Sequence, residues 1–327
     1  MSGSRGNTEL VNVFTGKALN VGALNVLNEG FPLGEAWKRL ILRLNVVLTN
    51  TTGTTAISEG ELNLLKALTL KTSMGEIIYN AVPGRPIYRL DEIKTGTPAV
   101  KDAITATAGT FRTQFNLWLV DPLLVRPEDF LLNSIRYNRI QLELNIGTVA
   151  DLLTVVGDSA ITVTADLYIE RIRGVLPPKV GPKEYTEISI PAPVNPASQT
   201  YIDIERANDL AIKRMLIYAQ NSATAGSPFS GTPADTILDK IGFDTDRGEL
   251  FNKVFWRMLN SQNKLDYRLV TAQVGIVLID FCRDGSKMSS VSGGGFSRFR
   301  LFWDNGTLST SQISVAVESF RPLKLQG

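Results

Sequence analysis

The strongest constraint on this chain is an internal repeat. Residues 117–121 (LWLVD) match residues 276–280 (IVLID) 159 positions later, with both phase and length preserved. At the same offset Arg139 aligns with Arg298, Leu142 with Leu301 and Gly147 with Gly306. Two upstream blocks match at offsets of 175 and 173, namely 36–40 with 211–215 and 70–77 with 243–250. Four blocks in one order predict two copies of one domain whose loops differ in length.

Within each copy, polarity alternates with a period of two. The runs 40–46 (LILRLNV), 140–146 (IQLELNI) and 163–169 (VTADLYI) each place their apolar residues on one face. Such alternation indicates half-buried antiparallel strands with one wet face. Seven or eight strands per copy, with long connections, fit a sandwich or a jelly roll.

Helical signals are fewer. Pro127 followed by Glu128 and Asp129 predicts a short helix from Pro127 to Ile135, because proline and acidic residues suit the first turn. A weakly amphipathic helix is also predicted from Glu9 to Leu27, although Gly16 and Gly22 disfavour it.

A proline-rich segment divides the two copies. Residues 174–199 hold six of the fifteen prolines, which predicts an extended linker because proline fixes φ and cannot donate to a sheet. The predicted division is therefore an N-terminal arm at 1–31, a first barrel at 32–173, the linker at 174–199 and a second barrel at 200–327.

Composition excludes several functional classes. Lysine and arginine exceed aspartate and glutamate by only 34 to 32, which argues against a nucleic-acid backbone as main partner. The chain has no histidine and one cysteine, Cys282, so histidine-based triads, histidine zinc sites and internal disulfides are excluded. We predict no catalytic, cofactor-binding or metal-binding residues.

The run Asp244–Glu249 resembles the start of a calcium loop, but its glycine is one place early, which favours a solvated turn.

The N-terminal arm is the one candidate contact region. It lacks the positively charged start followed by an apolar stretch that marks a signal peptide. No window of the chain reaches the length of about eighteen apolar residues that a membrane helix needs. Its apolar residues Leu10, Val11, Val13 and Phe14 predict contacts to a neighbouring subunit or a membrane. Packing on the chain's own barrel is the open alternative.

With tandem β units, a proline-rich linker, a helix at 127–135 and an N-terminal arm, the chain resembles double jelly-roll major capsid proteins of tailless icosahedral viruses. The resemblance covers residues 36–322 and is nearest to membrane-containing bacteriophages of the corticovirus and finnlakevirus kinds. It implies an all-β fold of two tandem eight-stranded jelly-roll barrels with short helical insertions. It also implies homotrimers that tile an icosahedral shell around the genome, with minor capsid, penton or spike proteins and an internal lipid membrane as partners. The implied location is the virion, after assembly in the host cytoplasm.

Two other functional classes stay open from the sequence alone. A carbohydrate- or receptor-binding spike component requires exposed aromatic side chains, whereas Trp37, Trp118 and Trp303 lie in strand-like runs. A glycosidase that uses only carboxylates requires two acids facing each other across a cleft, and no pair in the sequence stands out.

Overall fold

The computed structural model describes residues 7–49, 55–123, 131–154, 156–173, 186–204, 210–221, 229–286, 290–292, 296, 298–306 and 311–320. The strands of the first half are β1 (Asn7–Leu19), β2 (Leu24–Leu27), β3 (Ala36–Thr49), β4 (Leu65–Thr72), β5 (Ile77–Val82), β6 (Gly109–Trp118), β7 (Leu132–Asn133), β8 (Ile140–Ile146) and β9 (Ala160–Arg173). Those of the second half are β10 (Thr186–Ser189), β11 (Tyr201–Asp203), β12 (Ala211–Asn221), β13 (Thr232–Pro233), β14 (Leu238–Thr245), β15 (Gly248–Phe255), β16 (Ile276–Asp280), β17 (Val291–Ser292), β18 (Phe299–Asn305) and β19 (Ser311–Phe320). The described helices are α1 (Gly60–Asn63), α2 (Gly84–Thr95) and α3 (Trp256–Asp266).

These strands form two barrels of eight main strands each. In the first barrel, a sheet ordered β1-β9-β3-β6 faces a layer ordered β5-β4-β8-β2. In the second barrel, a layer in which β12 pairs with β16 and continues through β19 to β10 faces a sheet ordered β11-β18-β14-β15. The alternating apolar residues of the facing strands fill each interior, as the sequence predicted.

The repeat corresponds to a shared topology. Leu70 pairs with Leu142 in the first barrel and Phe243 with Leu301 in the second, so the offsets of 173 and 159 hold for β4 and β8. For β6 the register differs from the sequence match. Arg39 pairs with Trp118 and Arg214 with Asp280, so the structural counterpart of Trp118 lies 162 positions later rather than 159.

The predicted helix from Glu9 to Leu27 is wrong. Residues Asn7–Leu19 form β1, which pairs antiparallel with β9, and Leu24–Leu27 form β2, which pairs with β8. Two bulges interrupt β1, at Asn12/Phe14 and Phe14/Lys17, and Gly16 adopts a positive φ. Because each bulge shifts the alternation of sides, the apolar residues no longer repeat every second position and imitate helical spacing.

The predicted helix from Pro127 to Ile135 is also wrong in its described part. Positions 127–130 lie outside the described residues, Leu132–Asn133 form β7 against β3, and Ser134–Arg136 form a short 3-10 turn. Asn133 caps this turn by accepting a hydrogen bond from the Ile135 N–H at 3.2 Å. The turn that Asn133 caps ends at Arg136. The described part of the predicted helix is therefore a short strand followed by a single turn.

Of the predicted linker 174–199, the part from residue 186 onward is described. It begins with β10, a strand of the second barrel, and continues through Val194, which forms an isolated bridge to Ile313. The division at 1–31, 32–173, 174–199 and 200–327 stays a prediction. The pairing data add that β1, within the predicted arm, is an edge strand of the first barrel's sheet.

Candidate assembly surfaces and the inter-barrel junction

The two barrels share one continuous sheet. Strand β10 of the second barrel pairs antiparallel with β19 and parallel with β5 of the first barrel, where Ile188 lies opposite Tyr79. The result is a ten-stranded sheet that contains half of each barrel. Backbone hydrogen bonding therefore passes from one barrel into the other, in addition to side-chain packing.

Helix α2 packs between the two barrels. Its buried residues include Ile87, Leu90 and Ile93, which belong to one apolar cluster with the outward-facing residues of the second barrel. Strand β12 is consequently buried on both faces, unlike its counterpart β3. The second-barrel residues in this shared cluster include Leu216, Tyr218, Ile276, Leu278 and Ala316.

Hydrogen bonds surround the apolar cluster that α2 shares with the second barrel. The Arg85 guanidinium donates to the Gly231 carbonyl in the second barrel and to the Ser58 carbonyl in the first. The Gln273 amide donates to the Glu92 carboxylate across the junction at 2.7 Å. Arg85 is 2% exposed, so its guanidinium is buried between the two barrels.

A buried ion network lies beside α2. Lys94 Nζ is 2.6 Å from Glu318 Oε1, and Arg214 Nη1 lies 2.9 Å from Glu318 Oε2 and 2.8 Å from Asp121 Oδ2. Lys213 Nζ is 3.1 Å from Asp121 Oδ2, and Arg214 Nε is 3.2 Å from Asp280 Oδ2. Lys94 and Asp121 belong to the first barrel, so these bonds join the two halves.

Burial and charge act in opposite directions on the carboxylates of this network. Burial raises the pKa of Glu318, but the charges of Lys213, Lys94 and Arg214 outweigh burial and lower that pKa to about 2. Burial likewise opposes ionisation of Asp121, and Arg214 with Lys213 holds its pKa well below the usual range. Both carboxylates are therefore ionised at neutral pH and lie among three cations, one of which, Arg214, also binds the Asp280 carboxylate.

The sequence pattern alone does not reveal this network. Lys213 and Arg214 interrupt the apolar run 211–219, and that interruption was the available signal. The carboxylates that they bind, Asp121, Asp280 and Glu318, lie far apart in the sequence, so no local spacing reveals them. Helix α2 was missed as well. Its charged residues Arg85, Asp91 and Lys94 are buried against partners elsewhere in the chain, so charge at these positions does not mark a solvent-facing side.

The four predicted contact residues lie on β1. Leu10 is 56% exposed, whereas Val11, Val13 and Phe14 are half-buried, and the last two pack against the first barrel's core. Val13 and Phe14 therefore pack on the chain's own barrel, and the contact of the arm with a neighbouring subunit or a membrane stays a prediction. Between β1 and β2 is an open groove lined by Val13, Phe14, Lys17 and Val26, among others.

A polar cluster fixes the bulge in β1. The Asp166 carboxylate of β9 accepts from the Gly16 N–H at 2.8 Å and from the Arg43 and Asn45 side chains at 2.9 and 3.1 Å. Burial raises the pKa of Asp166, but these bonds and the Arg43 charge outweigh it and hold the pKa below its usual range. β1 is thus held by a side chain as well as by its ladder to β9.

The remaining residues singled out from the sequence have structural contacts. Asp244 lies near the end of β14, and its carboxylate binds the Arg300 guanidinium at 2.6 Å. Cys282 is buried just after β16. All four tryptophans, including Trp256 at the start of α3, are buried. No helix in the described part of the chain has the length and apolar character that a membrane span requires.

Comparison with known proteins gives matches in structure alone. No protein-family model and no curated sequence matches. The major capsid protein of Sulfolobus turreted icosahedral virus superimposes with a TM-score of 0.71 at 15% identity, covering 96% of this chain and 97% of the other. The capsid protein of PBCV-1 gives 0.63 at 12% identity over 96% and 93%. The major capsid protein P2 of bacteriophage PM2 gives 0.59 at 12% identity over 98% and 100%. This chain therefore has the double jelly-roll fold of these viral major capsid proteins.

Proposed function

We propose that this chain is the major capsid protein of an icosahedral virus. The observation that carries the proposal is the superposition of both barrels together on a viral major capsid protein, over nearly the full length of each chain. A superposition of that extent includes the relative placement of the barrels, which in this chain is fixed by the shared sheet and the buried ion network. A rigid pair of barrels is suited to a shell subunit, whose shape has to be reproduced in many copies.

In the finer form of the proposal, three copies form a trimer whose six barrels make a pseudo-hexagonal tile. The tiles cover the genome over an internal lipid membrane, join minor capsid, penton or spike proteins, and assemble in the host cytoplasm. Leu10, Val11, Val13 and Phe14 contact a neighbouring subunit. The exposure of Leu10 on an edge strand supports this assignment.

A spike component that binds carbohydrate is not favoured. The tryptophans Trp37, Trp118, Trp256 and Trp303, whose rings would stack best on sugars, are all at most 7% exposed. In addition, the solved structures that superimpose on nearly the whole chain are capsid proteins.

Light scattering across a concentration series tests the proposal. We expect a particle of three times 35.8 kDa, and shells or hexagonal sheets by electron microscopy of the same sample. A protein that stays monomeric at every concentration contradicts the proposal, and a glycan-binding screen then becomes the next measurement.

A further inference from the structure

The chain contains one barrel-to-barrel contact, and the surfaces for a second contact of the same kind are both open. The pairing orders make the barrels topologically equivalent, so each of the eight main strands of one has a counterpart in the other. The counterparts, first barrel before second, are β1 and β10, β2 and β11, β3 and β12, β4 and β14, β5 and β15, β6 and β16, β8 and β18, β9 and β19, and α2 and α3.

The first open surface is a strand edge. In the second barrel, β10 pairs with β19 on one side and with β5 of the first barrel on the other. Its counterpart β1 pairs with β9, and β15, the counterpart of β5, pairs with β14. Both are edge strands of their sheets in the part of the chain that the structure describes. An uncovered edge strand of thirteen residues is a ready template for pairing with another chain.

The second open surface is a helix face. Ile93 of α2 is 3% exposed and belongs to the apolar cluster that α2 shares with the second barrel, whereas its counterpart Leu265 of α3 is 78% exposed. Pro86 is buried, whereas its counterpart Met258 is 57% exposed. Helix α3 thus presents to solvent the face that α2 buries. The matched left-handed residues Gly96 and Arg268, each just past its helix, support this alignment of the two helices.

The surface that would receive this helix is open as well. Leu216 and Tyr218 of β12 face α2 and are fully buried. Their counterparts on β3, Ile41 and Arg43, are only half-buried. The first barrel therefore carries an uncovered version of the face against which α2 packs in the second barrel.

We infer that β15 and α3 of one copy dock against β1 and the outer face of β3 of a second copy. Strand β15 pairs parallel with β1, and the two sheets join into one that repeats the order of the intramolecular sheet. Ile188 opposite Tyr79 corresponds to Leu10 of the second copy opposite Phe251 of the first. Leu10 and Ile188 pair with the equivalent Glu170 and Glu318, and Phe251 and Tyr79 pair with the equivalent Phe243 and Leu70. The contact joins different surfaces head to tail, and its closure into a ring of three rests on the proposed function.

Cysteine cross-linking of the doubly substituted chain Leu10→Cys/Phe251→Cys tests the pairing. The native Cys282 gives little background because burial raises its pKa to about 12. We expect oxidation to give covalent dimers and trimers on a non-reducing gel. The control is Met74→Cys/Phe251→Cys. Met74 lies on the β4–β5 turn and is 59% exposed, and its counterpart Arg247 is exposed too, so neither residue is buried where the two barrels of one chain meet. Trimers by light scattering that give no more cross-linking than the control overturn the inference and leave the proposed function standing. Monomers that give no cross-linking overturn both.

A second pair of variants tests the helix face without cysteine chemistry. Met258→Glu and Met74→Glu change the same residue type at nearly the same exposure, 57% and 59%. Because Met258 would be buried in the contact, its glutamate variant should raise the concentration for half dissociation at least about tenfold. Met74→Glu should leave that concentration unchanged. Equal behaviour of the two variants overturns the assignment of α3 to the interface.

Discussion

The same ionic motif occurs at the same place in both barrels, with different surroundings. Lys38 and Arg39 at the start of β3 bind Glu170 of β9, and Lys213 and Arg214 at the start of β12 bind Glu318 of β19. The side chains of Lys38 and Arg39 are 33% and 26% exposed, whereas those of Lys213 and Arg214 are fully buried. Docking of the first barrel accounts for the difference, since Lys94 and Asp121 come from there. An equivalent sequence pattern therefore contributes differently to stability depending on what covers it.

The largest expected effect comes from removing the carboxylate in the buried copy of this motif. Glu318→Gln leaves Lys94, Lys213 and Arg214 buried with too little negative charge, so we expect a loss of about 3–5 kcal/mol in the free energy of unfolding. Urea unfolding followed by tryptophan fluorescence measures it. Glu170→Gln is the matched control and should cost less, because its cations Lys38 and Arg39 are partly exposed and solvent screens them. Equal losses in the two variants would contradict this comparison.

Acid should affect the buried motif next most strongly. The folded pKa of Glu318, about 2, is below its ordinary value of 4.5, so its contribution to stability is complete above pH 4.5 and is lost as pH falls toward 2. Asp121 has the same sign. The wild-type unfolding free energy should fall across this window, and the fall should be shallower in Glu318→Gln. Parallel pH profiles of the two proteins would rule out Glu318 as a source of the acid sensitivity.

The helix starts offer a smaller test. Gly84 begins α2 where α3 has Trp256, and a Cβ at Gly84 would collide with the Leu62 carbonyl and lie 2.8 Å from the Phe115 ring. Gly84→Ala should cost about 1–3 kcal/mol in the free energy of unfolding by overpacking. Gly109→Ala is the control, with its nearest neighbour 3.5 Å away, and should change that free energy by less than about 0.5 kcal/mol. A tolerated Gly84→Ala would show that the start of α2 can move.

The smallest effect is expected at Cys282. Its counterpart by pairing register is Val120, and both side chains are buried. The swap Cys282→Val keeps an apolar side chain of similar size, so the loss in unfolding free energy should stay below about 1.5 kcal/mol. Unfolding in urea checks this value. A larger loss would mean that the thiol makes a specific contact that valine cannot replace.

The repeat and the alternation were enough to predict two copies of one β domain, since strand phase and turn glycines are local properties of sequence. The choice of a jelly-roll barrel came from the resemblance to capsid proteins. The register of β6 was off by three residues because 117–121 and 276–280 match in polarity but pair differently with β3 and β12. The helix expected from Glu9 to Leu27 was wrong because bulges in β1 break the alternation. Neither error is visible without the partner strand.

Of the candidate surfaces, only part could be predicted. The exposure of Leu10 follows from an apolar residue in a segment of few charges, and this signal is local. The inter-barrel ion network, by contrast, depends on Lys94, Asp121, Lys213, Arg214, Asp280 and Glu318 meeting across the junction. The exposed apolar face of α3 could not be predicted from the sequence either. It becomes recognisable only by comparison with α2, which buries the equivalent face.

The position of β9 and β19 in their sheets has a consequence for folding kinetics. β9, the last strand of the first barrel, lies between β1 and β3, and β19, the last of the second, lies between β10 and β12. Each barrel therefore inserts its latest strand between two of its earliest, and neither sheet can grow by adding strands in order of synthesis. Long loops must close before these contacts form, which predicts slow, all-or-none folding of each barrel. Until β9 arrives, β1 and β3 both have open edges, and this is the stage at which a chaperone would have the most surface to protect.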